Sequence, residues 1–146
     1  MASKENIDVN SLPKGLTQKE LLKQPELKKI NSWFTWAGVV QILTGLINMG
    51  RIGQQAAQLE QSGYILDNGA MTLYSGLFLY LVVTGILLLV MRSTAMAYVV
   101  GISAIAVAIY AVSHGGTVGV GIVAAVLAIA GATKLQKVWR EYQAVQ

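Results

Sequence analysis

From Ser93 to Thr133 the chain contains no Asp, Glu, Lys or Arg. A stretch long enough for two helices, without a single charge, cannot keep a solvated face, so it has to be covered on all sides. Lipid is the surrounding that allows this. The overall composition points the same way. Hydrophobic residues make up 54% of the 146 residues and charged residues 12%, whereas soluble domains carry about 25% charged residues. The length fits one domain.

Residues 1–16 are polar, include Pro13 and Gly15, and read as a flexible tail. No apolar run lies within the first thirty residues, so a cleavable signal is not expected and the first span serves as the insertion signal. Thr17 and Glu20 have capping-box spacing, which starts a helix at Gln18. In residues 17–30, Leu21, Leu22, Leu27 and Ile30 alternate with Lys19, Lys23, Lys28 and Lys29. This pattern predicts an amphipathic basic helix on the cytoplasmic membrane surface. Pro25 either begins a new turn or kinks the helix. Each lysine beside an anionic leaflet contributes roughly 1 kcal/mol. The helix is either a solvated juxtamembrane element whose lysines set topology or a surface that binds lipid or a partner.

Residues 31–133 are predicted to form a transmembrane domain with spans at about 33–50, 70–91, 94–113 and 117–133. Trp33 and Trp36 suit the first interface, where an indole stays half wet. Helical composition continues beyond the first span into the outer loop 51–69, with Ile52, Ala56 and Leu59 on one stripe. Gly63 ends that helix, and Asp67-Asn68-Gly69 is a turn signal. Twelve residues of the second span are Leu, Ile, Phe or Val, each favouring insertion by roughly 0.3–0.6 kcal/mol at mid-membrane. Arg92-Ser93-Thr94 makes a tight connection, with Ser93 or Thr94 capping the third span. His114-Gly115-Gly116 makes another. The fourth span is about 25 Å long, short of the roughly 30 Å hydrocarbon core. It therefore continues into Lys134, whose side chain reaches back to the interface. Residues 134–146, with Lys137, Trp139, Arg140 and Tyr142, form a basic-aromatic helical tail.

Four spans put both termini on one side. With the termini inside, that side carries six lysines before Trp33, then Arg92, Lys134, Lys137 and Arg140, against Arg51 alone outside. The positive-inside rule then assigns N-in, C-in. The expected fold is an all-α membrane protein, an antiparallel up-down bundle of four transmembrane helices, in a bacterial inner or plasma membrane. The sequence pI near 9.4 follows from these flanking charges, so no nucleic-acid partner is expected.

Two kinds of stripe require company. Ala97, Gly101, Ala104, Ala108 and Ala111 share one face of the third span, and Gly121, Ala125, Ala128 and Ala132 one face of the fourth. Gly115 and Gly119 add a small-residue pair at its start. Association in lipid depends on close backbone approach, so these stripes serve packing within the chain, a homo-oligomer or a partner subunit. In the first span, Gly38, Gln41, Gly45 and Asn48 fall at spacings of three, four and three, with Thr44 beside them. An amide without a partner in hydrocarbon costs several kcal/mol. The polar stripe Gln41, Thr44, Asn48 therefore faces helices, water or another subunit. Ser75, Tyr80, Thr84 and Ser103 are the expected partners. The readings are an interhelical hydrogen-bonded seam, a polar site for a substrate or ion, and a subunit contact.

Catalytic chemistry is poorly provided for. Without cysteine there is no disulfide, thiolate metal site or thiol redox centre. His114 is the sole histidine and is expected in a turn rather than on a metal or haem. There is no phosphate-cradling loop after a strand and no nucleophile paired with a base. Asp67, Glu60 and Arg51 are read as ordinary loop residues. No cofactor and no enzyme activity are expected. In size and helix count the chain resembles the small four-helix multidrug exporters, a family with a membrane-embedded glutamate in its first helix. The comparable group here is Gln41, which cannot titrate, so the resemblance is architectural and proton-driven export is disfavoured. The expected function is that of a structural or accessory membrane protein binding lipid or another membrane protein. The alternative is a small oligomeric channel or facilitator for neutral solutes along the Gln41–Asn48 stripe.

Overall fold

The structure is a computed structural model that describes residues 7–65, 68–113, 119 and 121–146. The predicted turn at His114–Gly116, and with it the packing role of Gly115, lies outside the described residues, as does Asp67. Every regular element among the described residues is helical: α1 (Gln18–Leu22), α2 (Lys28–Gln61), α3 (Asn68–Met91), α4 (Thr94–Ser113) and α5 (Gly121–Ala144), with single 3-10 turns at Val9–Ser11 and Pro25–Leu27. Four helices, α2 to α5, are long and apolar enough to cross a membrane.

α2 has 34 residues, about 51 Å at the helical rise, and overruns a roughly 30 Å hydrocarbon core. It ends where Gly63 adopts φ +80. The Tyr64 N–H donates to the Leu59 carbonyl at 3.1 Å and the Gly63 N–H to that of Glu60 at 3.0 Å, the pair of bonds that closes a helix on a left-handed glycine. α5 is described from Gly121 and carries the fourth span and the basic-aromatic tail as one helix. Lys134 lays its ammonium 4.5 Å from the centroid of the Trp33 ring, with Lys29 at 5.8 Å, so the cations rest on the aromatic belt.

The helices approach closely where glycine permits it. A Cβ on Gly85 would stand 2.8 Å from the Gly38 carbonyl oxygen, and one on Gly45 would stand 2.7 Å from that of Phe78. A Cβ on Gly38 would meet Leu89 Cδ2 at 2.7 Å. α4 and α5 meet at Gly101, where a Cβ would lie 2.6 Å from Ile129 Cγ1, and α5 meets α2 where Gly131 faces the Phe34 ring. Around these contacts Phe34, Ala37, Leu88, Ala97, Val100, Ala128, Ala132 and Leu135 are fully buried. This densely packed half is the one that carries the segment from Ile7 to Leu27 and the end of α5.

The N-terminal segment closes over that half. Its apolar side is turned onto the protein, because Leu12, Leu21, Leu22 and Leu27 join the core with Tyr142. From Ile7 onward, therefore, the stretch read as a tail and a surface helix contributes to a protein cap. Alternating Leu and Lys suits a lipid surface and a protein surface equally, which is why the pattern alone did not distinguish them. The Tyr142 hydroxyl donates to the Pro13 carbonyl and accepts from the Leu16 N–H at 3.0 Å. The Gln18 side chain accepts from the Thr94 N–H at 3.0 Å, so the cap also meets the start of α4.

The capping box of α1 is complete. Glu20 accepts from the Thr17 N–H and the Thr17 hydroxyl, each at 2.8 Å. These bonds, the backbone one foremost, favour the ionised carboxylate and hold it below its ordinary value of 4.5. Stability linked to Glu20 is thus complete above pH 4.5 and is lost as pH falls through the lowered folded value. Hydrogen-exchange protection across residues 18–24, corrected for intrinsic rates, should fall in that acid range. Glu20→Gln should flatten the pH dependence.

Candidate functional site

Among the described residues, the half away from α1 and the end of α5 is the less tightly packed one. There the four long helices enclose a cavity of about 680 Å³, within the range of small-molecule sites. α2 supplies its polar wall through Gln41, Thr44, Asn48, Arg51 and Gln55, and α3 contributes Tyr74, Leu77, Phe78 and Leu81. Ala104, Val107, Ala108, Tyr110 and Ala111 of α4, with Gly119 before α5 and Gly121 and Ile122 at its start, complete it. Along α2 it runs from Gln41 to Leu59, about 27 Å.

The small residues explain why one half is closed and the other open. In the terminal half, Ala97 and Gly101 of α4 and Ala125, Ala128 and Ala132 of α5 are buried. Farther along α4 the same stripe reaches Ala108 and Ala111, which line the cavity and are half-buried. Among the described residues, no large side chain fills the space they leave. Ala104 is buried with Ala124 and Ala125 at the boundary. Gly121 approaches the Thr44 methyl group, at 3.1 Å for an added Cβ, whereas a Cβ on Gly119 would meet nothing within 4 Å. Gly119 thus lines the cavity without making a close helix contact.

The polar stripe of α2 is only partly satisfied across helices. Thr44 donates to the Val40 carbonyl and Asn48 to the Thr44 carbonyl, both at 2.7 Å and both within α2. Gln41 alone reaches across: its Nε2 lies 3.5 Å from Thr84 Oγ1, the long limit of a hydrogen bond. Of the other expected partners, Tyr80 and Ser103 bond each other at 3.0 Å, and Ser75 is exposed. Gln41 is 1% exposed, and its Oε1 meets no donor among the described residues. The direction of this amide follows from its neighbour. Thr84 spends its single proton on the Tyr80 and Leu81 carbonyls, at 2.9 and 3.1 Å, so it can only accept from Gln41. The NH₂ must face Thr84, and the carbonyl is the group left over.

Two features of this cavity were not read from the sequence: the extension of the polar stripe to Gln55 through Arg51, taken there as an ordinary loop residue, and a tyrosine pair. Arg51 and Gln55 extend the α2 stripe at spacings of three and four beyond Asn48, a signal present in the periodicity. Tyr74 and Tyr110 meet across α3 and α4, with the Tyr110 hydroxyl donating to that of Tyr74 at 2.9 Å and the rings edge-on at 5.9 Å. Their pairing depends on the relative register of two helices, which a single sequence does not encode locally. Among the described residues, no three His, Asp or Glu side chains gather to hold a metal ion. No protein-family model, curated protein or solved structure matches the chain.

Proposed function

We propose that this protein is a non-catalytic membrane protein of accessory type that binds an amphipathic, lipid-class molecule in the cavity ending at Gln41. The orientation we propose is N-in, C-in, with α2 to α5 as an antiparallel up-down bundle in a bacterial inner or plasma membrane. Ten basic residues against one support it. The contacts of Gly38 with Leu89 and of Gly45 with Phe78 support the antiparallel run of α2 and α3. The cavity then occupies the outer half of the membrane and opens outward, with Arg51 near the outer interface.

One observation carries the binding reading: a single cavity sets the polar side chains of α2, with Tyr74 and Tyr110, against a lining otherwise made of aliphatic, aromatic and small residues. An amphiphile matches both. The facilitator reading needs a path beyond Gln41, and that path is filled by Phe34, Ala37, Leu88 and Val100, all fully buried.

Native mass spectrometry of protein released from nanodiscs into mild detergent tests binding. Wild type should retain a bound amphiphile, and Ala108→Phe, which fills the cavity, should lose it. Retention unchanged by Ala108→Phe would overturn the reading. In proteoliposomes, neutral-solute flux abolished by combined Gln41→Leu and Asn48→Leu would favour the facilitator instead. For orientation, a cysteine placed at Gln55 should react with an impermeant maleimide in intact cells, and one at Lys137 only after permeabilisation. The opposite pattern would invert the assignment.

A further inference from the structure

We infer that the inner end of this cavity is a recognition site for a neutral hydrogen-bond donor, a hydroxyl or amide N–H carried on an apolar body, with Gln41 Oε1 as the acceptor. The inference rests on the binding reading above and names the ligand's chemistry. Two independent observations converge on it. A cavity of about 680 Å³ has Gln41 in its lining, and the carbonyl oxygen of this buried residue has no donor among the described residues. As it stands the oxygen is closed to a water-sized molecule, so a donor in the cavity reaches it through a small rotation of the Gln41 side chain.

An unsatisfied buried acceptor carries a desolvation penalty that a bound donor removes. The acceptor also selects by type. An alkane tail leaves it unpaired. A carboxylate would set its own negative charge beside a carbonyl oxygen at membrane depth, where no cation stands near; Arg51 is ten residues farther along α2, about 15 Å away. A hydroxyl satisfies it without burying charge. The surrounding wall, with Phe78, Leu81, Ala104 and Ile122, suits an apolar body.

The test uses photoreactive diazirine analogues of dodecanol, dodecane and dodecanoate at equal mole fraction in nanodiscs holding the full-length protein. Crosslinked peptides are mapped by mass spectrometry. Dodecanol should label the cavity walls of α2 and α3 about tenfold more than dodecane, the ratio expected for satisfying one buried acceptor. Dodecanoate should not exceed dodecane at the inner end. Gln41→Met keeps the side chain's length and removes the acceptor. It should bring dodecanol labelling down to the level of dodecane measured in the same variant. Equal labelling by dodecanol and dodecane in wild type would overturn the donor inference and leave the binding reading standing. Cavity labelling by none of the three would overturn both. A dodecanol preference that survives Gln41→Met would also overturn the assignment to Gln41.

Discussion

Gly45→Ala and Gly85→Ala should each destabilise the protein by about 1–3 kcal/mol, the usual cost of forcing atoms into a filled contact. At Gly45 the new methyl group would stand 2.7 Å from the Phe78 carbonyl oxygen, and at Gly85 it would stand 2.8 Å from that of Gly38. Backbone cannot rotate aside as a side chain can, so α2 and α3 must separate. Gly50 and Gly76, on the same two helices, have nothing within 4 Å of an added Cβ. There the substitution brings only the better helix propensity of alanine, worth up to roughly 1 kcal/mol. Equilibrium unfolding in mixed micelles with rising dodecyl sulfate should therefore show opposite signs for the two pairs. Equal effects at all four positions would refute the close crossing. The crossing also bears on the site. Gln41 lies between Gly38 and Gly45, and its partner Thr84 adjoins Gly85. Their contact is already 3.5 Å long. Separating the helices would break it and extend the cavity toward the packed half.

How far the sequence foretold this depends on whether a property belongs to one helix or to two. The four apolar helices were legible because the exclusion of charge is a property of each segment alone. Gly38, Gly45 and Gly101 were legible as contact residues through their spacing. Gly85 and Gly131 were not: each matters because of what stands opposite, Gly38 and Phe34 respectively. The leucines of the N-terminal segment showed that a surface had to be covered without showing which one. The cavity arises because small residues close a gap in one half and leave one in the other. That outcome depends on whether the facing helix offers a residue such as Ile129 or an empty position. Gln41 was visible as a polar group at membrane depth, but only the spent proton of Thr84 reveals that its carbonyl is the unpartnered half.

Arg92 offers the second large effect, because one residue carries two opposing terms. Its backbone is left-handed, φ 45, a conformation that costs a side-chain-bearing residue about 1–2 kcal/mol. Its N–H donates to the Leu88 carbonyl at 2.9 Å, closing the end of α3 on itself. The guanidinium offsets the strain: Nε donates to the Leu89 carbonyl at 3.1 Å, and Nη1 donates to Asn31 Oδ1 and to Thr35 Oγ1 of α2. A cation at a helix C-terminus is favourable in itself, and hydrogen bonds from charged groups contribute about 1.5–3 kcal/mol. Arg92→Ala loses the guanidinium and keeps the strained backbone, so it should cost about 2–3 kcal/mol. Arg92→Gly loses the same bonds but releases the strain, and should be less harmful than Arg92→Ala by about 1 kcal/mol. Arg92→Lys keeps the charge without the fork that reaches Leu89, Asn31 and Thr35 together, and should fall between wild type and Arg92→Ala. The same micellar unfolding measurement ranks the three. An alanine variant as stable as wild type would show that the guanidinium does not hold α2 to this corner, and a glycine variant weaker than the alanine one would show that the backbone there is not strained.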